Sequence, residues 1–411
     1  MKIAFFCWEF PPRIFGGLGT YADYMTRTLV RSGHQVMVFT MGGPELLERE
    51  EYHGVQVVRP PVIDARPMFP YVITDELQGW GSFFSDLLTN NLACATEFLR
   101  REVPRQPFDI VAVQDWLHGM AGLILAEQSP APVIFHVHSA EWGRRPDGGS
   151  PAVLHWEGRL AYVARQVVTV SHAMRDDLIS HGWDGSKISV VWNGVDVERY
   201  DLKKVPPEAV AALRQRYGLA PEHIVLLFVG RLNWVKGAAN LVRAMPLVLN
   251  EHPHARLIIL GRGEDEDLIR GLVHSLHLEE AVRLRFEFVS EDERIAHYAL
   301  SDICVFPSVY EPFGIVSLEA MAMERPVVVG AQGVVGFREQ VVPSGPGRTG
   351  VHVNGSDPAD IAWGINSAIA AGDQRREWGR NGRRRVERLF TWEQAAARTI
   401  EVYQQVLTRA G

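Results

Sequence analysis

The chain has 411 residues, which is more than one ordinary domain and enough for two or three. Hydrophobic residues make up 46% and charged residues 22%, a globular balance that excludes a disordered, collagenous or coiled-coil chain. The net charge of -7 argues against general nucleic-acid binding, which needs a basic face, but leaves room for a local basic pocket around a small anion.

Three widely spaced cysteines, Cys7, Cys94 and Cys304, exclude a disulfide framework and a Cys-x-x-Cys metal site. They predict a reducing, cytoplasmic setting. The apolar run at the N-terminus ends at Glu9, which is typical of a first strand and not of a signal peptide. No apolar stretch reaches the roughly 18 residues that cross a bilayer, so we expect no membrane span.

Short apolar runs alternate with helical patterns along the chain, which predicts parallel strands buried on both faces of α/β units. The first set of predicted strands is Ile3–Phe6, Val36–Thr40, Val55–Val58, Ile110–Gln114, Val133–Val137, Val167–Val170 and Ser189–Trp192. The second set is Ile224–Val229, Leu257–Leu260, Leu284–Val289, Ile303–Phe306, Val327–Val329 and Gly350–Val353.

The proline-containing segment Asp196–His223 separates the two sets and is interpreted as a linker. We therefore predict an N-terminal Rossmann-like domain over residues 1–195, and a linker with a C-terminal Rossmann-like domain over 196–388. A C-terminal helix over 389–411 is expected to pack back on the first domain. Two doubly wound sheets are expected to face one cleft with the carboxyl ends of their strands.

A glycine-rich segment with Gly16, Gly17 and Gly19 follows the first strand and opens a helix. Its spacing formally matches a dinucleotide fingerprint. The glycines do not follow the strand immediately, however, and the second strand ends without the acidic residue that a ribose needs. Bare amides at a helix N-terminus still suit a phosphate, and a tight loop that needs positive φ is the structural alternative.

Polar side chains end two strands of the first set, Asp115 on one and His138 on the next. We expect both to face the ligand side of the sheet, where the carboxyl ends of parallel strands meet. His118, His136, His138 and Glu141 are a conceivable metal site, but strand alternation opposes it because neighbouring side chains point to opposite faces. The other interpretation is that these histidines lie in the core and form hydrogen bonds within the protein.

Two cations follow the first strand of the second set: Arg231 beside Gly230, and Lys236 at the start of a helix. A guanidinium and an ammonium next to a helix N-terminus predict a diphosphate site. The alternative is a pair of solvated surface cations.

Glu311 and Glu319 bracket a strand-to-helix turn, with Glu311 in the loop after Ile303–Phe306 and Glu319 in the helix that follows. The amides of Gly314, Ile315 and Val316 form that helix N-terminus, where an anion is expected to bind. Glu311 then lies near the reacting centre, and Glu319 lies further along the helix, near ribose hydroxyls. A plain loop acid for Glu311, and a capping or salt-bridge role for Glu319, are the alternatives.

With these residues the sequence resembles glycosyltransferase family four, the retaining GT-B enzymes that include glycogen and starch synthases. The resemblance covers nearly the whole chain. It is carried by Gly16-Gly17, Val170-Ser171, Asn193-Gly194-Val195-Asp196, Gly230-Arg231, Lys236-Gly237, Glu311-x7-Glu319 with Pro312-Phe313-Gly314, and Glu393 and Tyr403 near the C-terminus. One departure is a valine, in Val334-Val335-Gly336, where the family has the first of two glycines.

The resemblance implies transfer of a hexose from a nucleotide sugar to a carbohydrate acceptor, with retention and without a metal or other cofactor. It implies that Arg231 and Lys236 stabilise the leaving diphosphate, Glu311 holds the sugar, and His138 binds its 6-hydroxyl. It also implies that residues 1–195 form the acceptor-side domain and that residues 196–388 hold the nucleotide-sugar domain. Donor contacts are then expected at Gly17, Gly230, Phe313, Gly314, Ile315, Val316 and Glu319, and acceptor contacts at Gly16 and Asp115.

The Glu9–Pro12 segment and Asp115-Trp116 resemble glycogen and starch synthases more than lipid-directed mannosyltransferases. Trp8, Trp116 and Trp142 suit stacking on sugar rings. The sequence therefore favours glucosyl transfer from ADP- or UDP-glucose to an α-glucan or short maltosyl acceptor. Sucrose-, trehalose- or mannosyl-type transfer to a small acceptor, a GT-B sugar-nucleotide epimerase, a phosphorylase and a non-catalytic binding protein are the alternatives.

Overall fold

The structure of the chain is a computed structural model that describes residues 1–14 and 16–410. The chain divides into two compact units. Unit 1 comprises Met1–Val170, Arg175–Trp192 and Ala395–Gly411, and unit 2 comprises Ser171–Met174 and Asn193–Gln394. Each unit is built on its own sheet.

The strands of the two sheets are β1 Lys2–Phe6, β2 Gln35–Phe39, β3 Arg49–Tyr52, β4 Val55–Val58, β5 Ile110–Gln114, β6 Val133–Val137, β7 Gln166–Thr169, β8 Ile188–Val190, β9 Ile224–Val229, β10 Ala255–Leu260, β11 Val282–Arg285, β12 Ile303–Phe306, β13 Val327–Gly330 and β14 Gly350–Val353.

The helices are α1 Gly17–Arg31, α2 Phe69–Val72, α3 Asp75–Gly79, α4 Gly81–Glu97, α5 Gly119–Gln128, α6 Glu141–Arg144, α7 Pro151–Val163, α8 His172–Ser180, α9 Pro207–Arg216, α10 Ala238–Glu251, α11 Glu266–Ser275, α12 Glu291–Leu300, α13 Ile315–Ala322, α14 Phe337–Gln340, α15 Pro358–Ala370, α16 Gln374–Leu389 and α17 Trp392–Ala410. None of the described helices is both long and apolar enough to cross a bilayer.

The sheet of unit 1 has eight strands in the order β3-β4-β2-β1-β5-β6-β7-β8. Every pair is parallel except β3 with β4, an antiparallel edge pair. Strands β5 and β6 are buried at every position, as expected where helices cover both faces. The strand order reverses between β1 and β5, and ligands bind outside the carboxyl ends of the strands at such a reversal.

The sheet of unit 2 has six parallel strands in the order β11-β10-β9-β12-β13-β14. Its reversal lies between β9 and β12, which puts the segments after these two strands at the expected ligand position. A large core cluster joins the inner side chains of this sheet to helices α10 and α15. Both sheets confirm the predicted α/β class.

Several sequence-based element predictions were wrong. The predicted linker contains helix α9, whose Leu213 is buried, so this segment is folded into unit 2. Strand β11 ends at Arg285, and Glu287–Val289 are irregular instead of extended. The edge strand β3 and the helices α2 to α4 were missed, because β3 has no apolar run and this helical region lacks a clean amphipathic period.

Candidate functional site

Backbone hydrogen bonds join the segments that follow β9, β12 and β13 at the carboxyl edge of the unit 2 sheet. The Val309 amide donates to the Val235 carbonyl at 2.8 Å, which ties the loop after β12 to the loop after β9. The Glu311 amide donates to the Val334 carbonyl at 2.9 Å, and the Gly336 amide donates to the Glu311 carbonyl at 2.7 Å. This edge is therefore held by main-chain contacts, which leaves side chains available for a ligand.

Lys236 and Glu311, both predicted site residues, form an ion pair at this edge. Glu311 is only 7% exposed, and Ser308 Oγ lies 3.5 Å from the same carboxylate oxygen. Arg231 is exposed and has no hydrogen-bonding or ionic partner in the part of the chain that the structure describes. The predicted cations thus differ: Lys236 is paired with the predicted sugar-binding acid, while Arg231 is available to an anion.

The N-terminus of helix α13 has no side-chain cap. Its N-cap residue Gly314 has φ of 85°, and a Cβ there would overlap the ring of Phe337, so only glycine fits. The first amides of an uncapped helix, here those of Ile315 and Val316, point at any anion bound there. Phe313 itself is buried and its carbonyl accepts from Gln340 at 2.8 Å, so a donor contact of Phe313 has to come from its backbone and stays a prediction.

Glu319 lies inside α13 in a cluster that the sequence did not predict. Its two oxygens accept hydrogen bonds from the hydroxyls of Tyr200 at 2.9 Å and Tyr298 at 2.7 Å. Arg294 lies 3.4 Å from the same carboxylate. Burial and the Glu319 charge raise the pKa of both tyrosines, so the hydroxyls remain donors at neutral pH. Glu319 is thus paired within unit 2, and its predicted ribose contact stays a prediction.

Two further predicted features of this edge concern glycines. Gly237 has φ of 71° at the start of α10, and a Cβ there would overlap the Pro307 carbonyl. A Cβ at Gly230 would make only ordinary contact with Phe228, so the fold does not require glycine there and its predicted donor contact stays a prediction. Val335, in place of the family's first glycine, is fully buried and pairs with Glu311 as an isolated bridge. The valine that replaces the family's glycine therefore occupies a core position beside Glu311.

Asp115 and His138 lie together at the carboxyl edge of the unit 1 sheet, as predicted. The His138 amide donates to Asp115 Oδ1 at 2.8 Å, and His138 Nε2 lies 3.1 Å from Gln114 Oε1. Asp115 has φ of 52°, a costly conformation for a non-glycine residue that proteins retain mainly at functional sites. Burial lowers the pKa of His138, opposed by Asp115 and reinforced by Arg144.

Three carboxyl groups surround one guanidinium beside Asp115. Arg144 donates to Ser139 Oγ at 2.8 Å, to the Ser139 carbonyl at 3.0 Å and to Asp115 at 3.4 Å. Its remaining nitrogen lies 3.7 Å from Glu141. Glu157 accepts from the Glu141 amide at 3.1 Å, and burial raises the pKa of Glu157 to about 8. The sequence pointed to none of Arg144, Glu157 and Gln114 as functional. The contacts of Arg144 and Glu157 depend on how α6 and α7 pack, and the contact of Gln114 with His138 depends on the register of β5 and β6.

The glycine segment of unit 1 is occupied by a carboxylate of the chain itself. The Gly16 amide donates to Glu9 Oε2 at 3.0 Å, and a Cβ at Gly19 would collide with Glu9 and Ile14. Gly17 is the first residue of α1, and a Cβ there would meet none of the described residues within 4 Å. Phe15 lies outside the described residues. The predicted ligand contacts of Gly16 and Gly17 remain predictions, and any anion at these amides must share them with Glu9.

The metal site considered from His118, His136, His138 and Glu141 is not formed. His118 is fully buried and contacts the rings of Phe6 and Trp8, while His136 Nε2 pairs with the Tyr403 hydroxyl at 2.8 Å. In the described residues, one cluster has the spacing of metal ligands, Glu222, His223 and His254. It lies at the amino ends of β9 and β10, opposite the edge that carries Lys236.

The tryptophans named for sugar stacking fall into two groups. Trp8, Trp116, Trp80 and Trp156 belong to one aromatic cluster of unit 1, with ring centroids 6.1 Å apart for Trp80 and Trp116. Trp142 lies apart from it, stacked on His181 at 4.1 Å. Beside the cluster, Phe83 and Tyr71 expose 40% and 85% of their surface, so aromatic side chains remain accessible next to it.

Two family descriptions match the chain. "Glycosyltransferase Family 4" matches residues 15–199, and "Glycosyl transferases group 1" matches residues 210–385. The chain is 32% identical to an uncharacterized glycosyltransferase of Methanocaldococcus jannaschii over 100% of both chains. It is 29% identical to a glycogen synthase of Mycobacterium tuberculosis over 98% of this chain and 94% of the relative. It is 30% identical to the alpha-maltose-1-phosphate synthase of Mycolicibacterium smegmatis over 99% of this chain and 100% of the relative.

Solved structures with similar folds include a sucrose-phosphate synthase from Thermosynechococcus elongatus, with a TM-score of 0.80, 23% identity and 99% coverage of both chains. The catalytic domain of starch synthase IV from Arabidopsis thaliana, bound to ADP and acarbose, has a TM-score of 0.78 at 17% identity, again with 99% coverage of both. These similarities confirm the predicted GT-B fold.

Proposed function

The chain belongs to glycosyltransferase family four, and from that premise we propose that it transfers glucose from ADP- or UDP-glucose to an α-glucan or a short maltosyl acceptor. Transfer retains the anomeric configuration and needs no metal or other cofactor. The observation that carries the proposal is the paired Lys236 and Glu311 beside the uncapped N-terminus of α13, with Arg231 exposed after β9.

The leaving group explains the cations. As the bond between the anomeric carbon and the diphosphate breaks, negative charge develops on the phosphate oxygens and positive charge on the sugar ring. Arg231, Lys236 and the α13 amides stabilise the diphosphate. Each preorganised charged donor lowers the activation barrier by about 2–4 kcal/mol. Glu311 binds sugar hydroxyls and balances the charge of the ring.

Retention follows if the departing phosphate oxygen takes the proton of the acceptor hydroxyl on the same face of the sugar. The acceptor oxygen then bonds to the anomeric carbon, the released nucleoside diphosphate keeps the proton, and no separate base is needed. We further propose that His138 binds the 6-hydroxyl of the sugar and that Asp115 contributes to the acceptor side. Glu319 and the backbone at Gly230, Phe313 and Gly314 are proposed to contact the donor.

The charge of unit 1 favours a neutral acceptor. Arg144, the cation beside Asp115, already has its donors directed to Ser139, Asp115 and Glu141. A phosphorylated acceptor would have to displace one of these partners, next to two carboxylates. The relative named alpha-maltose-1-phosphate synthase makes a phosphorylated sugar, so this charge balance favours the glycogen-synthase type of acceptor for the present chain. The aromatic cluster with Trp8 and Trp80 also suits the apolar faces of glucose units.

The test is product analysis with ADP-glucose, UDP-glucose, GDP-glucose and GDP-mannose, each with maltooligosaccharides, glucose 1-phosphate, inositol phosphate and fructose 6-phosphate. We expect an elongated maltooligosaccharide and a released nucleoside diphosphate. Turnover of GDP-mannose or a phosphorylated acceptor alone would refute glucan synthesis and leave the family assignment. UDP-ManNAc made from UDP-GlcNAc would indicate an epimerase, and sugar 1-phosphate made from a glycoside and phosphate would indicate a phosphorylase.

A thermal-shift screen of the same nucleotide sugars identifies the donor independently of the acceptor. A ligand at 100 times its dissociation constant adds about 2.7 kcal/mol to the free energy of unfolding. We expect ADP- or UDP-glucose to raise Tm more than GDP-mannose does.

A further inference from the structure

We propose that Gln114 is a positioning residue that holds His138 in the neutral tautomer protonated at Nε2. His138 Nδ1 then accepts a hydrogen bond from a hydroxyl of the bound sugar. The identity of that ligand rests on the proposed function, whereas the tautomer is a property of unit 1 that can be measured without any substrate.

The two side chains lie on neighbouring strands. Gln114 is the last residue of β5 and is fully buried, and its register partner on β6 is His136, two residues before His138. Gln114 Oε1 and His138 Nε2 are 3.1 Å apart. An amide oxygen can only accept a hydrogen bond, so the contact places the proton of the neutral imidazole on Nε2.

Two other contacts fix the ring in place. The His138 amide donates to Asp115 Oδ1 at 2.8 Å, and the ring centroids of Tyr21 and His138 are 4.3 Å apart. Within the described part of the chain, Nδ1 has no protein partner, and the side chain is only half-buried. Nδ1 is therefore the ring atom left for a ligand.

The protonation state agrees with this role. Burial lowers the pKa of His138, and the charges of Asp115 and Arg144 act on it in opposite directions. The ring is therefore neutral at physiological pH. A neutral imidazole protonated at Nε2 carries its lone pair on Nδ1, which makes it an acceptor for a sugar hydroxyl and not a donor.

Gln114 also carries a cost that a purely structural residue would avoid. Its Nε2 is buried and has no hydrogen-bond partner among the described residues. Buried polar atoms in folded proteins are nearly always paired, and an exception calls for a functional explanation. The cost is explained if the amide is retained for its oxygen, which sets the tautomer of His138.

The decisive measurement is the ¹⁵N spectrum of histidine-labelled full-length protein, with the His138 signals assigned from their loss in His138→Asn. We expect the Nε2-protonated tautomer in the unmodified protein and in Gln114→Glu, and a mixture of tautomers in Gln114→Leu. A His138 protonated at Nδ1 in the unmodified protein, or an unchanged tautomer in Gln114→Leu, would overturn the proposal. If Gln114→Leu does not fold, the spectrum of the unmodified protein and Gln114→Glu decide it.

Kinetics give a second readout that a structural role would not produce. Gln114→Leu is expected to lower kcat/KM by about tenfold, the scale of one lost neutral hydrogen bond. In Gln114→Glu the carboxylate raises the pKa of His138, so activity returns at high pH and the acid limb of the profile moves upward. Equal losses at all pH values in both variants would contradict the proposal. Failure to turn over any nucleotide sugar, with the expected spectrum, would reject the proposed function alone.

Discussion

The carboxyl edges of the two sheets have the same architecture and opposite chemistry. In unit 2 the edge carries Arg231, which has no partner among the described residues, Lys236 paired with Glu311, and an uncapped helix N-terminus. In unit 1 the corresponding edge carries Asp115, Glu141 and Glu157, and its guanidinium, Arg144, is fully engaged by neighbours. Parallel sheets direct their ligands to this edge in both units, while the charges decide which ligand can bind.

The difference teaches that an anion site is recognised by the cations that remain available, and not by the number of cations or glycines. Unit 1 also has a glycine segment at a helix N-terminus, but Glu9 accepts a hydrogen bond from the Gly16 amide there. Unit 2 leaves the amides at α13 without a side-chain cap. We therefore expect diphosphate binding in unit 2 and recognition of neutral hydroxyls in unit 1.

The largest expected effect is on turnover. Arg231→Ala and Lys236→Ala should each lower kcat by roughly 10²-fold or more, because each removes a charged donor to the leaving diphosphate. Arg243→Ala, which removes an exposed arginine from α10, is the matched control and should keep its activity. Steady-state kinetics with circular dichroism checks this, and near-normal turnover in both site variants would refute the phosphate assignment.

The second prediction concerns the backbone at the start of α13. Gly314→Ala should destabilise the protein by about 2 kcal/mol or more, because the residue has φ of 85° and its Cβ would overlap Phe337. Gly347→Ala is the control, since a Cβ there meets nothing within 4 Å. Urea unfolding measures both variants, and equal stability would show that the α13 turn adapts.

The third prediction tests the acidic edge through pH. The pKa of Glu157 is raised to about 8 by burial, while in the unfolded chain it is near its ordinary value of 4.5. Between these values the folded state holds a proton that the unfolded state has lost, so this group lowers stability as pH rises from about 4.5 to about 8. Glu157→Gln should remove that loss, on the order of 1 kcal/mol or more at pH 8.

Urea unfolding at pH 5 and pH 8 measures the effect of Glu157→Gln. The variant keeps an oxygen for the Glu141 amide, so the hydrogen bond itself is preserved. Glu127→Gln, at an exposed position of α5, serves as the control and should leave the pH dependence unchanged. A Glu157→Gln variant that loses as much stability between the two pH values as the unmodified protein would show that Glu157 is ionised in the folded state.

The smallest expected effect is that of chelation. We expect full activity in EDTA, because Arg231, Lys236 and the α13 amides take the charge of the diphosphate. The cluster of Glu222, His223 and His254 is not expected to supply a metal. His223 Nδ1 accepts a hydrogen bond from the Ala220 amide at 3.0 Å, so the neutral ring carries its proton on Nε2 and neither ring nitrogen has a free lone pair for a metal ion. Activity that falls in EDTA and returns with Mg²⁺ or Mn²⁺ would contradict the mechanism.

Local patterns in the sequence were enough for the parts of the site that lie on continuous strand ends. The apolar run of β12 and the glycine after Glu311 predicted the turn into α13, and Lys236 followed from its place after β9. Glu319 was predicted only in position: Tyr200 and Arg294, which contact it, come from distant segments, and no periodicity brings hydroxyl groups to a buried carboxylate.

By itself the sequence determined the α/β class, most strands of both sheets and the residues that carry the family resemblance, because buried parallel strands and strand-end motifs are local in the chain. The tertiary structure alone decided which charges remain available. The sequence placed Arg231 after a strand but could not show that its side chain stays exposed. Likewise, only packing directs the donors of Arg144 to Ser139, Asp115 and Glu141. A pairing between side chains depends on distances across the fold, which residue spacing along the chain does not encode.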